Sequence, residues 1–356
     1  MRVLVAVLLA CSCANAWEMV IGESNIVARA AQKVAISSPS TTDNATPTTK
    51  AAIQLEQPIK CTLDEDCWAV NNVDFGRGCG AKDYMCQNKT YNGHKGVDFA
   101  IRDMEAMRQG VDVVAAAAGE IKAVRDGMSD ISVRERGIAS VKDVECGNGI
   151  VIAHVEGWET QYCHLKKGSI IVKTGQKITA GEKLGQVGLS GRTEYPHLHL
   201  SVRHNGRTVD PSYGDQDVCG KTPIPMWAGK LKLYPFHRTG NIYNFGFSIE
   251  KPNATKMREG LYRKVNFTKD APMLIGWADI FNVDQGDIIS IEITQPNGSI
   301  LTKNTIEIKK YQARYFIFAG KKQKGGNWPS GKYQLKITYT SKRTGDIAIK
   351  HSEIFA

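Results

Sequence analysis

No run of about 18 apolar residues occurs in the 356-residue chain, so no segment reads as a membrane-spanning helix. Cys-x-x-Cys pairs are missing, which argues against a structural zinc knuckle. No Gly-Lys-Ser/Thr follows the glycine-rich stretch at 175–191, which argues against a phosphate-cradling loop. Helical periodicity is weak apart from a short turn at Met104–Arg108. Hydrophobic content of 42% and charged content of 23% exclude a disordered, collagen-like or coiled-coil chain. What the chain does have is length for two domains and a formal net charge of +10, which favours anionic partners.

Residues 1–16 read as a secretory signal: Arg2, the apolar run Val3 to Ala10, then Ala14-Asn15-Ala16 as a small-residue cleavage site. Leu8-Leu9-Ala10-Cys11 also fits a lipoprotein signal. That reading ranks second, because the apolar run before it is only eight residues. Either way the protein is exported, to a periplasm or the medium. Seven cysteines then remain, and disulfides are their default state in an oxidising compartment. Cys61 with Cys67, and Cys79 with Cys86, are close enough in sequence to be local staples, and Cys146 with Cys163 flanks a hairpin. An odd count leaves one thiol free or paired with another chain.

Residues 17–57 form a Ser/Thr/Pro-rich linker, and order is expected from near Cys61. Residues 58–222 alternate short β-type runs with glycine turns. Ile150–Val155 and Trp158–Tyr162 read as a hairpin, and Ser169–Val172, Lys183–Val187 and Leu198–Val202 as further strands. In 223–356, Ile289, Ile291 and Ile293 alternate with polar residues, as do Tyr333, Leu335, Ile337 and Tyr339, and Asn297-Gly298 marks a hairpin turn. The expected fold is mainly β: an antiparallel sheet domain followed by an immunoglobulin-like β-sandwich.

Chemistry concentrates in three pieces: Gly93-His94-Lys95-Gly96-Val97-Asp98, Tyr162-Cys163-His164-Leu165 and Pro196-His197-Leu198-His199-Leu200. The two-residue period of a strand puts His197 and His199 on one face, with Leu198 and Leu200 in the core behind. His94 and Asp98 are four apart, but Gly93 and Gly96 argue for a turn entering a strand rather than a helix. Two histidines and a carboxylate would leave a fourth position open on a tetrahedral zinc, the plan of a catalytic site. No His-Glu-x-x-His helix supplies the usual glutamate base, so His164 and His197 are the candidates for proton handling.

Together these pieces resemble the lysostaphin/LytM-type zinc metallopeptidases that cut peptidoglycan cross-links. The likeness covers about 88–211 and extends to Gly149–Val155, Gly175-Gln176-Lys177-Ile178, Ser190-Gly191 and Asp210-Pro211. By this resemblance His94, Asp98 and His199 bind zinc, and His164 and His197 serve catalysis. The departures are an insertion around Met128–Glu145 and the cysteine-rich lead-in at 61–86, both of which bear on cross-link preference. His154, His204, His237 and His351 read as structural.

The leading expectation is a secreted zinc endopeptidase acting on peptidoglycan. The alternative is an inactive member of the fold that binds the wall and activates other hydrolases, although all five site positions are filled. The basic stretch from Lys309 to Lys324 reads first as solvated strand faces and second as a contact for an anionic envelope polymer. Export and the lack of a recognised module exclude nucleic acid as its partner.

Overall fold

The computed structural model describes residues 53–76 and 80–356. The signal segment, most of the linker and Cys79 lie outside the described residues. Among the described residues no helix is long and apolar enough to cross a membrane.

The first unit is an eight-stranded antiparallel sheet. Its order runs Cys67–Asn71, Val97–Ile101, His197–His204, Trp158–Leu165, Asn148–Ala153, Gly119–Arg125, Lys177–Ile178, with Arg207–Val209 paired onto His197–His204. The alternation of this central strand sends Leu198, Leu200 and Val202 into the apolar core, where Phe99, Ile150, Ile152 and Tyr162 meet them. Asp103 caps the helix Met104–Gln109 by accepting from the Ala106 amide. The segment Ser169–Val172 is not a strand. Ile171 gives one amide hydrogen bond to Leu184 but is 64% exposed, while Ile170 and Val172 on either side pack on the core.

Packed chain begins before Cys61. Leu55 is fully buried, and its amide bonds the Met226 carbonyl. Residues after 222 also belong to this core, because Met226, Trp227, Leu231 and Phe236 pack inside it. Neither segment has a period that would announce its burial.

From Asn241 a second unit forms two antiparallel sheets. One orders Asn241–Ser248, Met273–Val283 and Gln312–Lys322, and the other Ile300–Glu307, Ile288–Thr294, Lys332–Thr340 and Ile347–Phe355. Ile289, Ile291, Ile293, Leu335 and Ile337 of one sheet meet Leu274, Ala278, Ile280 and Ile317 of the other in one shared core. The fourth strand of the unit pairs with the third, so the split is three and four rather than the four and three of constant immunoglobulin domains.

Two of the expected disulfides form, Cys61–Cys67 and Cys146–Cys163. Cys86 does not pair with Cys79; it bonds Cys219, 133 residues away. The backbone explains this, because the Gly220 amide donates to the Tyr84 carbonyl and brings Cys219 to a Cα separation of 5.3 Å from Cys86. Sequence proximity favoured the short loop, whereas the fold places the distant partner in reach.

Candidate metal centre

Register places the site. In neighbouring strands Asn71 lies opposite Asp98, Asp98 opposite His199, and His199 opposite Cys163. Cross-strand partners project from the same face, so one row across the sheet delivers the Asp98 carboxylate and the His199 ring side by side. His94 arrives from the turn before Val97–Ile101, as its two flanking glycines imply.

The three groups converge. Asp98 Oδ1 is 2.8 Å from His199 Nδ1 and 3.1 Å from His94 Nε2, and the two ring nitrogens are 3.0 Å apart. Ligands about 2.0–2.1 Å from a tetrahedral ion lie roughly 3.3 Å from one another, which is close to this spacing. The outer contacts fix the tautomers. His94 Nδ1 donates to the Asn72 carbonyl at 2.7 Å, so a neutral ring turns a lone pair inward from Nε2. Asn71 Nδ2 occupies Asp98 Oδ2 at 2.8 Å and leaves Oδ1 inward. His94 Nε2, Asp98 Oδ1 and His199 Nδ1 thus face one small space, where these three residues can hold a metal ion. All three are buried. Burial alone would raise the Asp98 pKa, but His94 and His197 and the hydrogen bonds from His197 and His199 outweigh it and hold the carboxyl well below its usual range.

His197 and His164 flank this cluster with their rings 4.8 Å apart. His197 Nδ1 donates to the Tyr195 carbonyl at 2.9 Å, and its Nε2 lies 3.5 Å from Asp98 Oδ1. His164 Nδ1 donates to the Ser190 carbonyl at 2.8 Å. Each ring thereby turns its Nε2 to the interior. Burial, with the nearby His197 and His199, pushes the His164 pKa well below 6.5, so this ring stays neutral at ordinary pH.

His164 is aimed by an irregularity. Its φ of 62° is left-handed, a conformation that side-chain-bearing residues seldom adopt. It sits where the pairing with Asn148–Ala153 slips between Asn148 and Ile150. The His164 amide donates to the Cys146 carbonyl, and the Cys146–Cys163 bond crosses the same spot with Cα atoms 4.8 Å apart. Replacing both cysteines by serine is expected to cost about 3 kcal/mol in the chain-entropy account and to lower the melting temperature. An unchanged melting temperature by calorimetry would refute the structural role of this bond.

Two further residues carry the site without having stood out in the sequence. Asn71 orients Asp98, and Gly96 does more than turn the chain. A Cβ at Gly96 would lie 2.6 Å from His199 Nε2 and 2.5 Å from the Leu200 carbonyl. Gly96→Ala therefore displaces the His199 ring, and metal affinity is expected to fall about 10–100-fold, as for lost outer-shell support. A competition titration against a chelator measures it, and an unchanged affinity would contradict the packing argument. His154 is structural as expected: its ring nitrogens bond the Ala118 carbonyl and the Thr160 hydroxyl, at 2.7 and 2.8 Å.

The antiparallel β scaffold thus bears a buried two-histidine, one-carboxylate cluster able to hold a metal ion. Residues 92–211 match the family model of peptidase family M23. The DD-carboxypeptidase/endopeptidase Mpg of Neisseria meningitidis is 33% identical over 105 residues, 30% of this chain and 22% of that protein. The peptidoglycan DD-endopeptidase ShyA of Vibrio cholerae is 38% identical over 77 residues, 22% of this chain and 17% of that protein. The chain thus spans about a fifth of the length of these relatives. Among solved structures, a zinc-containing peptidase from Vibrio cholerae is 26% identical, with a TM-score of 0.27 over 42% of this chain and 41% of that one.

Proposed function

We propose that this protein is an exported zinc endopeptidase that hydrolyses peptide cross-links or bridges of peptidoglycan. The carrying observation is the convergence of His94, Asp98, His199, His164 and His197, whose hydrogen bonds turn nitrogen and oxygen lone pairs into one small space. M23 relatives named as peptidoglycan DD-endopeptidases support the substrate class. Three disulfides among the described residues support an oxidising destination, periplasmic or extracellular.

In this reading His94 Nε2, Asp98 Oδ1 and His199 Nδ1 hold zinc, which when bound lowers the pKa of a water towards about 7 and polarises the scissile carbonyl. The residues do the rest. Asn71 and Asn72 fix the ligand orientations. His197, with Nδ1–H given to Tyr195, accepts the water's proton at Nε2 and returns it to the leaving amine. His164, its Nδ1–H held by the Ser190 carbonyl, offers a second such nitrogen, which can accept a hydrogen bond from the same water.

Digestion of purified sacculi by the zinc-loaded protein, followed by separation of the fragments, tests the proposal. Cross-linked dimers should fall and monomers rise with glycan strands intact. Unchanged cross-linking, with stimulation of a second hydrolase, would replace the proposal by the activator reading.

A further inference from the structure

The two units meet beside the site. Trp68, Val70 and Ala100 of the first sheet join Tyr243 and Phe281 of the second unit in one buried apolar cluster, against which Tyr195 packs. Polar contacts pin the junction: Asn282 Nδ2 bonds the Val70 carbonyl, Arg263 is paired with the buried Asp103, and Lys350 Nζ reaches the Asp64 carbonyl at 2.9 Å. At its centre lies Arg314, from the strand Gln312–Lys322. Its guanidinium stands 5.1 Å from the Tyr195 ring, 5.3 Å from Tyr243 and 5.2 Å from Phe281. The fully buried Asp279 carboxylate lies 3.1 Å from Arg314 Nη2 and accepts from the Tyr243 hydroxyl, which holds the cation in place.

Tyr195 connects this cation to the chemistry. Its ring is 4.9 Å from the His197 ring, and its carbonyl accepts the His197 Nδ1 proton. A guanidinium against an aromatic face is an oriented, planar contact, stronger where water is excluded. Arg314 thus clamps one side of Tyr195, and the Tyr195 backbone sets the tautomer and direction of His197. A cavity of about 410 Å³ opens between the units on this side, lined by Glu194, Tyr195 and Pro196 from one and Arg258 and Arg314 from the other.

We propose that Arg314 is a positioning residue for His197, acting through Tyr195, so that the second β unit is a working part of the active site rather than a detachable targeting module. The inference rests on the role of His197 given above. It needs no contact between Arg314 and the metal or the substrate.

Full-length protein with Arg314→Met and Asp279→Asn together removes the buried carboxylate along with the partly buried cation paired to it, so neither is left without the other. On a soluble cross-linked muropeptide dimer this variant should show kcat lowered about 10²-fold, with KM and zinc content little changed, the cost of a misplaced catalytic group. Arg314→Lys, which keeps the cation, should recover part of the loss. Tyr195→Leu should reproduce the defect, and adding the Arg314 and Asp279 changes to it should cost little more. In metal-free protein, the slowly exchanging Nδ1–H proton resonance of His197, assigned by its absence in His197→Asn, should shift or broaden in the Arg314 variant while those of His94 and His164 persist. That proton signal tests the strut even if the wild type proves inactive on peptidoglycan. A normal kcat with an unmoved His197 resonance, or equal losses with and without the Tyr195 ring, would overturn the proposal.

Discussion

Zinc-loaded protein carrying His197→Ala or His164→Ala is expected to keep about one metal ion per chain and to lose nearly all hydrolysis of sacculi. Neither ring is part of the closest triad of inward atoms, since His197 Nε2 stands 3.5 Å from Asp98 Oδ1 and the His164 ring is 5.9 Å from that of His199. Retained metal follows from that geometry. Lost rate follows because proton handling by a placed side chain contributes about 10²–10⁴-fold. Both rings address one space, so the double variant should fall little below the worse single one. Metal analysis beside release of soluble muropeptides measures both halves. Near-normal hydrolysis by either zinc-loaded single variant would refute its catalytic role.

Removing a member of the triad should act in the opposite order, on the metal first. His94→Ala and His199→Ala each leave two protein ligands, and Asp98→Ala also removes the negative charge around which His94, His199 and Asn71 are arranged. Zinc content should drop from about one per chain to a small fraction after dialysis, with activity falling in parallel. Asp98→Asn separates charge from shape: it keeps the volume, lacks the charge and should still bind weakly. Full zinc occupancy in all three alanine variants would overturn the ligand assignment.

Much of this was legible in the sequence, for identifiable reasons. A histidine, a leucine and a histidine in a strand must place both rings on one face, and the isoleucines at 289, 291 and 293 must point one way, because strand period is fixed at two. What escaped depended on contacts between distant segments. Nothing local pairs Cys86 with Cys219 or buries Leu55 against Met226. The stretch containing Arg314 reads as a basic, solvated strand, and Lys310, Lys321, Lys322 and Lys324 are indeed exposed. Arg314 alone turns inward, to a carboxylate 35 residues earlier in the chain and to a tyrosine in the other unit. The aim of His164 was likewise invisible, since it comes from a register slip and a left-handed residue rather than from spacing.

Anomalous diffraction at the zinc edge from zinc-soaked crystals of the wild-type protein tests the central claim most directly. The account predicts one strong peak bonded to His94 Nε2, Asp98 Oδ1 and His199 Nδ1, with His164 and His197 facing it unbonded. A peak that takes His164 or His197 in place of one of these three, or no peak between them, would contradict it.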